Sequence, residues 1–139
     1  MARRLNILLI NHYAGTPSLG MEYRPYYLAR EWVRTGHRVT VVAANFSHVR
    51  ARQPQAGQEV VDGITYHWLP TPGYQGNGLG RVKNIWHFLR QVWQRAPALV
   101  AACQPDTRYT LFRNTLKQKR LYPAYRFICS RFGEQRDTS

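Results

Sequence analysis

Residues 5–44 decide the fold. They run Leu5-Asn6-Ile7-Leu8-Leu9-Ile10, then Asn11-His12-Tyr13-Ala14-Gly15-Thr16-Pro17-Ser18-Leu19-Gly20, then Tyr23 to Thr35, then Gly36, then Val39-Thr40-Val41-Val42-Ala43-Ala44. The first stretch is a short, nearly continuous apolar run, the pattern of a strand buried on both faces of a parallel sheet. Gly15, Pro17, Ser18 and Gly20 break the second stretch into a loop. Between Tyr23 and Thr35, Pro25 suits a first helical turn. Leu28, Ala29, Trp32 and Val33 make one apolar stripe at helical spacing. Gly36 stands where a left-handed C-terminal cap belongs. Val39 to Ala44 is rich in β-branched residues and reads as a second buried strand. Strand, loop, helix, strand is one βαβ unit, which predicts a doubly wound α/β domain with a parallel sheet.

Outward from that unit the pattern loosens. Residues 45–61 are polar, hold Pro54 and Gly57, and read as a long excursion. Asp62-Gly63 is a turn signal introducing a strand, Ile64 to Leu69. A Gly/Pro-rich loop fills Pro70 to Gly80. A second helix is predicted over 81–95, with Val82, Ile85, Trp86, Leu89 and Trp93 as its buried stripe. Arg81, Lys83, Arg90 and Arg95 mark its wet side. Ala98 to Ala102 reads as a short strand. The pattern weakens from Gln104 to Arg120, where Lys117-Gln118-Lys119-Arg120 is a solvated basic run. Helical periodicity returns at Tyr125, Ile128, Cys129 and Phe132, and the last six residues read as frayed.

The chain has 139 residues, of which 44% are hydrophobic and 19% charged, enough apolar content for a real core. Twenty Lys+Arg against seven Asp+Glu leave a formal charge of +13. Arginine supplies 17 of those 20 cations, and the excess is uneven: net +4 over residues 1–69, net +9 over 70–139. Attraction to polyanions follows, whether nucleic acid, phosphorylated ligands or an anionic membrane. No stretch approaches the roughly 18–20 apolar residues that span a bilayer. The Met1–Ile10 segment imitates a signal peptide, but Asn6 interrupts it and no small-residue cleavage site follows, so a cytoplasmic first strand is expected. Cys103 and Cys129, without metal-ligand spacing, are expected to be reduced thiols; no metal and no disulfide framework are expected.

The loop after the first strand carries the most functional information. In open α/β sheets ligands bind beyond the carboxyl ends of the strands. Its glycines allow close backbone approach, and the next helix offers N–H groups for a phosphate or carboxylate. The spacing is neither Gly-x-Gly-x-x-Gly nor a P-loop, so a dinucleotide fold or P-loop NTPase is poorly supported. An ordinary flexible loop is the plain alternative. His12 and His48 stand at predicted strand ends and are candidates to touch substrate. His37, His67 and His87 read as structural. Trp32, Trp86 and Trp93 read as core rather than stacking platforms.

Three stretches carry a resemblance: Ile7-Leu8-Leu9-Ile10-Asn11-His12-Tyr13-Ala14-Gly15, Gly20-Met21-Glu22-Tyr23-Arg24-Pro25-Tyr26-Tyr27-Leu28-Ala29-Arg30-Glu31-Trp32, and Gly36-His37-Arg38-Val39-Thr40-Val41-Val42-Ala43-Ala44. Phe46-Ser47-His48 and Thr71-Pro72-Gly73-Tyr74-Gln75-Gly76-Asn77-Gly78-Leu79-Gly80-Arg81-Val82 extend it. The chain resembles the N-terminal half of bacterial family-4-like glycosyltransferases, most of all a subgroup that transfers amino sugars in surface-polysaccharide assembly. The likeness is close over residues 4–100, fades over 101–121 and resumes at Tyr122-Pro123-Ala124-Tyr125-Arg126. It divides the chain into 1–100, a Rossmann-like acceptor-side domain, and 101–139, a divergent or truncated remainder of the same domain. The resemblance implies half of a two-domain GT-B architecture, incomplete here. The donor half of that family carries a Glu-x₇-Glu type motif. No glutamate pair in this chain has that spacing, Glu22 and Glu31 being nine apart.

By that resemblance, the chain holds a lipid-linked saccharide acceptor in polysaccharide biosynthesis. It would be inactive without a C-terminal donor domain, which a separate partner half would have to supply. The nucleotide sugar enters as a co-substrate, with no resident cofactor. Gly15 is the best carry-over for backbone approach to the diphosphate, with Gly20 starting the helix beside it. Arg24 is a phosphate-holding candidate, with a solvated helix-start arginine as the equal alternative. Glu22 has a plain role as a helix N-terminal anion. Tyr74 and Asn77, in the glycine-rich loop, are candidates to cover an acceptor sugar. The resemblance places the chain in the cytoplasm, peripheral to the inner face of the bacterial membrane, where anionic headgroups attract a basic surface. Two other readings stay open: a small basic nucleic-acid-binding protein, supported by charge but by no specific motif, and a degenerate fragment without activity and with poor solubility.

Overall fold

The computed structural model describes residues 3–20, 23–47, 50–74 and 78–103, and the backbone of 107–110. Five strands form one sheet: β1 (Asn6–Ile10), β2 (Arg38–Ala44), β3 (Gly57–Val61), β4 (Ile64–Leu69) and β5 (Thr107–Thr110). Their spatial order is β3-β4-β2-β1-β5. β1 pairs in parallel with β2 and β5, and β2 with β4; only the edge strand β3 runs antiparallel, to β4. Two helices cover the faces, α1 (Tyr23–Arg34) and α2 (Leu79–Cys103). The domain is doubly wound and Rossmann-like, as the βαβ pattern predicts.

Alternation along the strands explains the two layers. Ile7 and Leu9 of β1, Val39 and Val41 of β2 and Tyr66 and Trp68 of β4 pack with Tyr26 and Ala29 of α1. Leu8 and Ile10, Val42 and Leu69 point the other way and pack with Ile85, Phe88, Leu89 and Val92 of α2. Side chains on a strand point to opposite faces in turn, so a central strand covered on both sides must be apolar throughout. Leu8, Leu9, Val41 and Val42 are fully buried.

α1 ends as the sequence predicts. Gly36 has φ +97°, its N–H bonds the Val33 carbonyl at 3.0 Å, and the His37 N–H bonds the Trp32 carbonyl at 3.0 Å. These two bonds are a Schellman cap, which satisfies the last helical carbonyls. The α1 stripe is rotated from expectation: Leu28 is exposed, while Pro25 and Tyr26 are buried. The Tyr26 hydroxyl donates to the Asp62 carboxylate, which holds the helix onto the β3–β4 turn and raises the phenol pKa.

The excursion over 45–61 contains one strand the sequence reading missed. β3 pairs with β4 so that Val61 faces Ile64, leaving Asp62-Gly63 as a two-residue hairpin turn. Both turn residues have positive φ, +50° and +79°, as such a turn requires. β3 is a solvent-facing edge strand with little alternation to betray it.

The second helix corrects three expectations. It runs to Cys103, so Ala98–Ala102 is helical and not a strand. Pro97 lies inside it. An interior proline costs roughly 3 kcal/mol of helix stability, but Ala96 and Leu99 continue the buried line of Ile85, Phe88, Leu89 and Val92. That burial, with four good helix-forming alanines at 96, 98, 101 and 102, outweighs the break. The stripe is also turned: Val82 and Trp86 are exposed, and Asn84 and Phe88 are fully buried. α2 passes through residue 100, and β5 extends the sheet beyond it. The helical segment expected around Tyr125–Phe132 lies outside the described residues.

Candidate functional site at the carboxyl edge

β1 connects through α1 to β2 on one side, whereas β5 lies on the other. The carboxyl ends of β1 and β5 therefore flank the topological switch point, the place where open α/β sheets bind ligands. The loop 11–20 leaves β1 there.

This loop is not a loose turn. Asn11 through Thr16 are all buried. The Asn11 side-chain oxygen accepts from the Tyr13 N–H at 3.0 Å, and the Asn11 carbonyl from the Ala14 N–H at 3.1 Å. Asparagine is suited to this because its short amide mimics a backbone turn. The Asn11 N–H bonds the Val42 carbonyl at 3.0 Å, and the Ala44 N–H bonds the His12 carbonyl at 3.2 Å, so the parallel ladder continues into the loop.

His12 is fully buried, with ring centroids 4.4 Å from Tyr13 and 5.0 Å from Phe88. Its Nε2 lies 2.5 Å from the Asn84 Oδ1, and the Asn84 Nδ2 donates to the Pro72 carbonyl at 2.7 Å. The Pro72 carbonyl can only accept, which turns the amide nitrogen toward it and the amide oxygen toward His12. His12 Nε2 therefore carries the hydrogen. The orienting partner that sequence could not supply is Asn84, on α2. His12 joins β1, α2 and the loop after β4.

Two arginines complete the edge. Arg50 is buried; one terminal nitrogen donates to the Ala44 carbonyl at 2.7 Å and the other to the Ala14 carbonyl at 2.6 Å. Its guanidinium carbon lies 5.1 Å from the Trp68 ring centre. It thus clips the ends of β1 and β2 together over an aromatic face. Arg81, half-buried in the first turns of α2, donates from Nε to the Tyr13 hydroxyl at 2.9 Å. It brings a cation to the rim of the β1 loop. The helical pattern had placed Arg81 with the solvated cations. Asn84 was legible only as a polar residue beside Ile85, and nothing in the sequence singles out Arg50.

The sequence candidates fall as follows. Gly15 is buried, and its carbonyl accepts from the Tyr66 hydroxyl at 3.2 Å. Burial, first, and the nearby Tyr26 and Asp62 push the Tyr66 phenol pKa well up, so it stays a donor at neutral pH. Gly20 has φ +88° and caps the 3-10 turn Pro17–Leu19; an added Cβ there would stand 2.7 Å from the Ala51 Cβ. Its conformation is set by the 50–52 segment, whose Ala51 and Arg52 N–H groups bond the Leu19 carbonyl at 2.9 and 3.2 Å. Tyr74 is buried against Phe46, ring centres 5.3 Å apart, beside the start of α2. Arg24 is exposed in the first turn of α1. Asn77, His48 and Glu22 lie outside the described residues. The structure thus gathers His12, Gly15 and Tyr74 at one edge, with Arg81 and Asn84 beside them.

An open groove of about 470 Å³ lies at the opposite, amino end of the strands, lined by Arg4, His37, Arg38, Thr40, His67 and Cys103 among others. His67 is half-buried there; desolvation, with the Arg95 charge second, lowers its pKa. Cys103 Sγ lies 3.6 Å from the Thr40 hydroxyl, and no disulfide is formed by it. Among the described residues, no group of three His, Cys, Asp or Glu side chains is placed to hold a metal ion. No helix of the described residues is long and apolar enough to cross a membrane.

The fold defines a doubly wound, Rossmann-like α/β half-domain. The particular family follows from comparison: the glycosyl transferase 4-like domain family matches residues 20–125, and the chain belongs to it. The match runs through 101–121, where the motif likeness fades. No curated protein and no solved structure matches the chain.

Proposed function

We propose that this domain forms the acceptor side of a sugar-transfer cleft. Its substrate would be a lipid-linked saccharide of polysaccharide assembly, and the sugar would come from a nucleotide-sugar donor held by a second domain. The observation that carries this reading is the β1 loop: a segment buried over residues 11–16 and braced by hydrogen bonds at the switch point, with the Arg81 cation on its rim, inside a glycosyltransferase-family domain.

The chemistry asks for such a wall. Transfer from a nucleotide sugar develops negative charge on the departing diphosphate and positive charge at the sugar carbon. Braced N–H groups and cations accelerate it only if they need not reorganise as that charge appears. The bonds to Asn11, Tyr66, Arg50 and Arg81 hold the loop in place beforehand. Gly15 gives the backbone its close approach, and Arg81, with Arg24 farther out, supplies cationic partners for phosphate oxygens. Tyr74, with Phe46, offers an aromatic wall to an acceptor sugar.

The test is sugar transfer by the purified chain with a panel of UDP-linked donors and a lipid-pyrophosphate saccharide, with and without a separately supplied donor-binding half. Turnover that depends on the added half, and that falls at least tenfold in Arg81→Ala, supports the reading. Undiminished turnover in Arg81→Ala would remove Arg81 from the cleft. An absence of both turnover and acceptor binding would contradict the reading as a whole.

A further inference from the structure

We propose that the open groove at the amino ends of the strands is a second ligand site, which takes a soluble phosphorylated molecule of about nucleotide size on Arg4, Arg38 and His37. It lies apart from the proposed cleft. β1 alone, at roughly 3.3 Å per residue, sets the two ends of the sheet about 15 Å apart.

The sheet is built differently here from its centre. On the face that α2 covers, Leu8, Val42 and Leu69 are buried and pack on the helix. Two residues toward the amino ends, the same face carries Asn6, Thr40 and His67, with Gln58 of β3 across from His67. None of these four is buried. A strand covered on both sides is apolar on both, so polar residues at these positions mark a face left open. α2 ends at this border: Sγ of its last residue, Cys103, is 3.6 Å from the Thr40 hydroxyl. The groove, of about 470 Å³, lies against these residues.

Its charge is positive and unopposed. Arg38 opens β2, and Arg4 stands two residues before β1. The two strands pair in parallel, with Asn6 opposite Arg38, so both arginines stand at one end of neighbouring strands. Such strands are about 4.8 Å apart, close enough for two long side chains to meet on one phosphate. Both arginines are exposed. Among the described residues neither is in an ion pair, and no Asp or Glu lines the groove. His37 adds a directed donor. Its Nδ1 accepts from the Leu5 N–H at 3.1 Å, so the ring hydrogen sits on Nε2. Both helices end here, and each C-terminus carries roughly −0.5 charge. The Gly36 and His37 N–H groups already satisfy the last α1 carbonyls. About one negative charge at most therefore stands against two guanidinium groups.

The ligand class follows from these donors. Guanidinium forks match phosphate oxygens two at a time, and the Thr40 and Thr65 hydroxyls can add further bonds. A carboxylate would satisfy one fork; a phosphate monoester, with three oxygens and nearly two charges, satisfies both. The volume exceeds what a phosphate group needs and falls within the roughly 300–1,000 Å³ of small-molecule sites. Ile7, Val33 and Val39 give the organic part an apolar wall. A nucleic-acid backbone would ask for cations repeated along a track, rather than two converging on one point.

The test is NMR of the histidine rings in the full chain, with adenosine monophosphate, inorganic pyrophosphate and adenosine added in turn. Salt of about 0.15 M screens the diffuse charge of the chain. The His37 and His67 signals are expected to move with both phosphorylated ligands and to stay with adenosine. His12, buried at the other end of β1, should stay throughout. Arg4→Gln with Arg38→Gln should weaken adenosine monophosphate binding at least about tenfold. Arg38→Lys should weaken it less, because it keeps the charge and loses the fork. Arg81→Ala should leave it unchanged. The exposed Arg4 and Arg38 positions should leave the thermal transition in place. Unmoved His37 and His67 signals would overturn the proposal. So would binding that falls in Arg81→Ala and survives the double substitution, since the phosphate would then sit at the carboxyl edge. Tighter binding of a short DNA duplex with the same histidine shifts would overturn it as well, making the groove a nucleic-acid contact. None of these outcomes depends on sugar transfer, so the two proposals stand or fall separately.

Discussion

At the carboxyl ends of β1, β2 and β4, polar side chains are buried and hydrogen-bonded to one another and to the backbone. At the amino ends of the same strands they line an open groove. His12, Asn84, Arg50 and Tyr66 join three loops and a helix through bonds of 2.5 to 3.2 Å. Arg4 and Arg38, at the other end, are exposed on the groove wall. A concavity alone points to the amino end. The proposed cleft lies at the other, because in open sheets the crossover geometry opens a crevice at the carboxyl ends and aims helix N-termini at it. Burying polar groups is costly unless each finds a partner. The bonds made by Arg50, Tyr66 and Asn84 hold the loop after β1 in place.

Substitutions at the two ends test this contrast. The largest effect is expected at Arg50. Arg50→Met strands the Ala14 and Ala44 carbonyls and should cost about 3–5 kcal/mol in urea denaturation, at roughly 1–3 per buried unmatched group. Arg38→Ala at the amino end should stay within about 0.5 kcal/mol. Equal losses at the two positions would erase the distinction. Asn84→Leu comes next, at about 3 kcal/mol, because His12 Nε2 and the Pro72 carbonyl both lose their partner. An unchanged midpoint would mean water replaces the amide. Tyr66→Phe removes one hydroxyl from the Gly15 carbonyl and should cost about 1 kcal/mol by the same measurement.

The smallest effect is a pH dependence at the amino end. The folded-state pKa of His67 is depressed below its ordinary value of 6.5, by burial first and by Arg95 second. Below pH 6.5 the unfolded chain therefore binds more protons at this position than the folded chain, and stability falls as the pH drops. Solvent on the groove side keeps the effect modest. His67→Gln should flatten the fall between pH 7 and 5 relative to the unaltered chain. Identical profiles would show that His67 does not contribute.

The fold was legible where local pattern and burial agree. The run Leu5–Ile10, the Gly36 cap, the Asp62-Gly63 turn and the strand Ile64–Leu69 carry their own signals. The strand β3 was hidden because an edge strand facing water needs no apolar alternation. The end of α2 was hidden because Pro97 is a local stop signal, while the burial of Leu99 that overrides it is tertiary. Trp86 misled by its size: the sheet chose the helix face containing Asn84 and Phe88 and left the tryptophan outside. The loop after β1 was legible as the segment that leaves the carboxyl edge of the sheet, but its bracing was not. Asn84 and Arg50 lie 72 and 36 residues from the loop residues they hold, and no spacing in a sequence records such contacts.

The location of the acceptor tests the account most directly. A lipid-pyrophosphate saccharide carrying a photoactivatable group on its sugar can be crosslinked to the full chain and the adducts mapped by peptide mass spectrometry. Adducts are expected within residues 11–20 and 70–81, reduced in Arg81→Ala and unchanged in Arg38→Ala. Adducts concentrated in 36–40 and 63–67, at the amino end of the sheet, would contradict it.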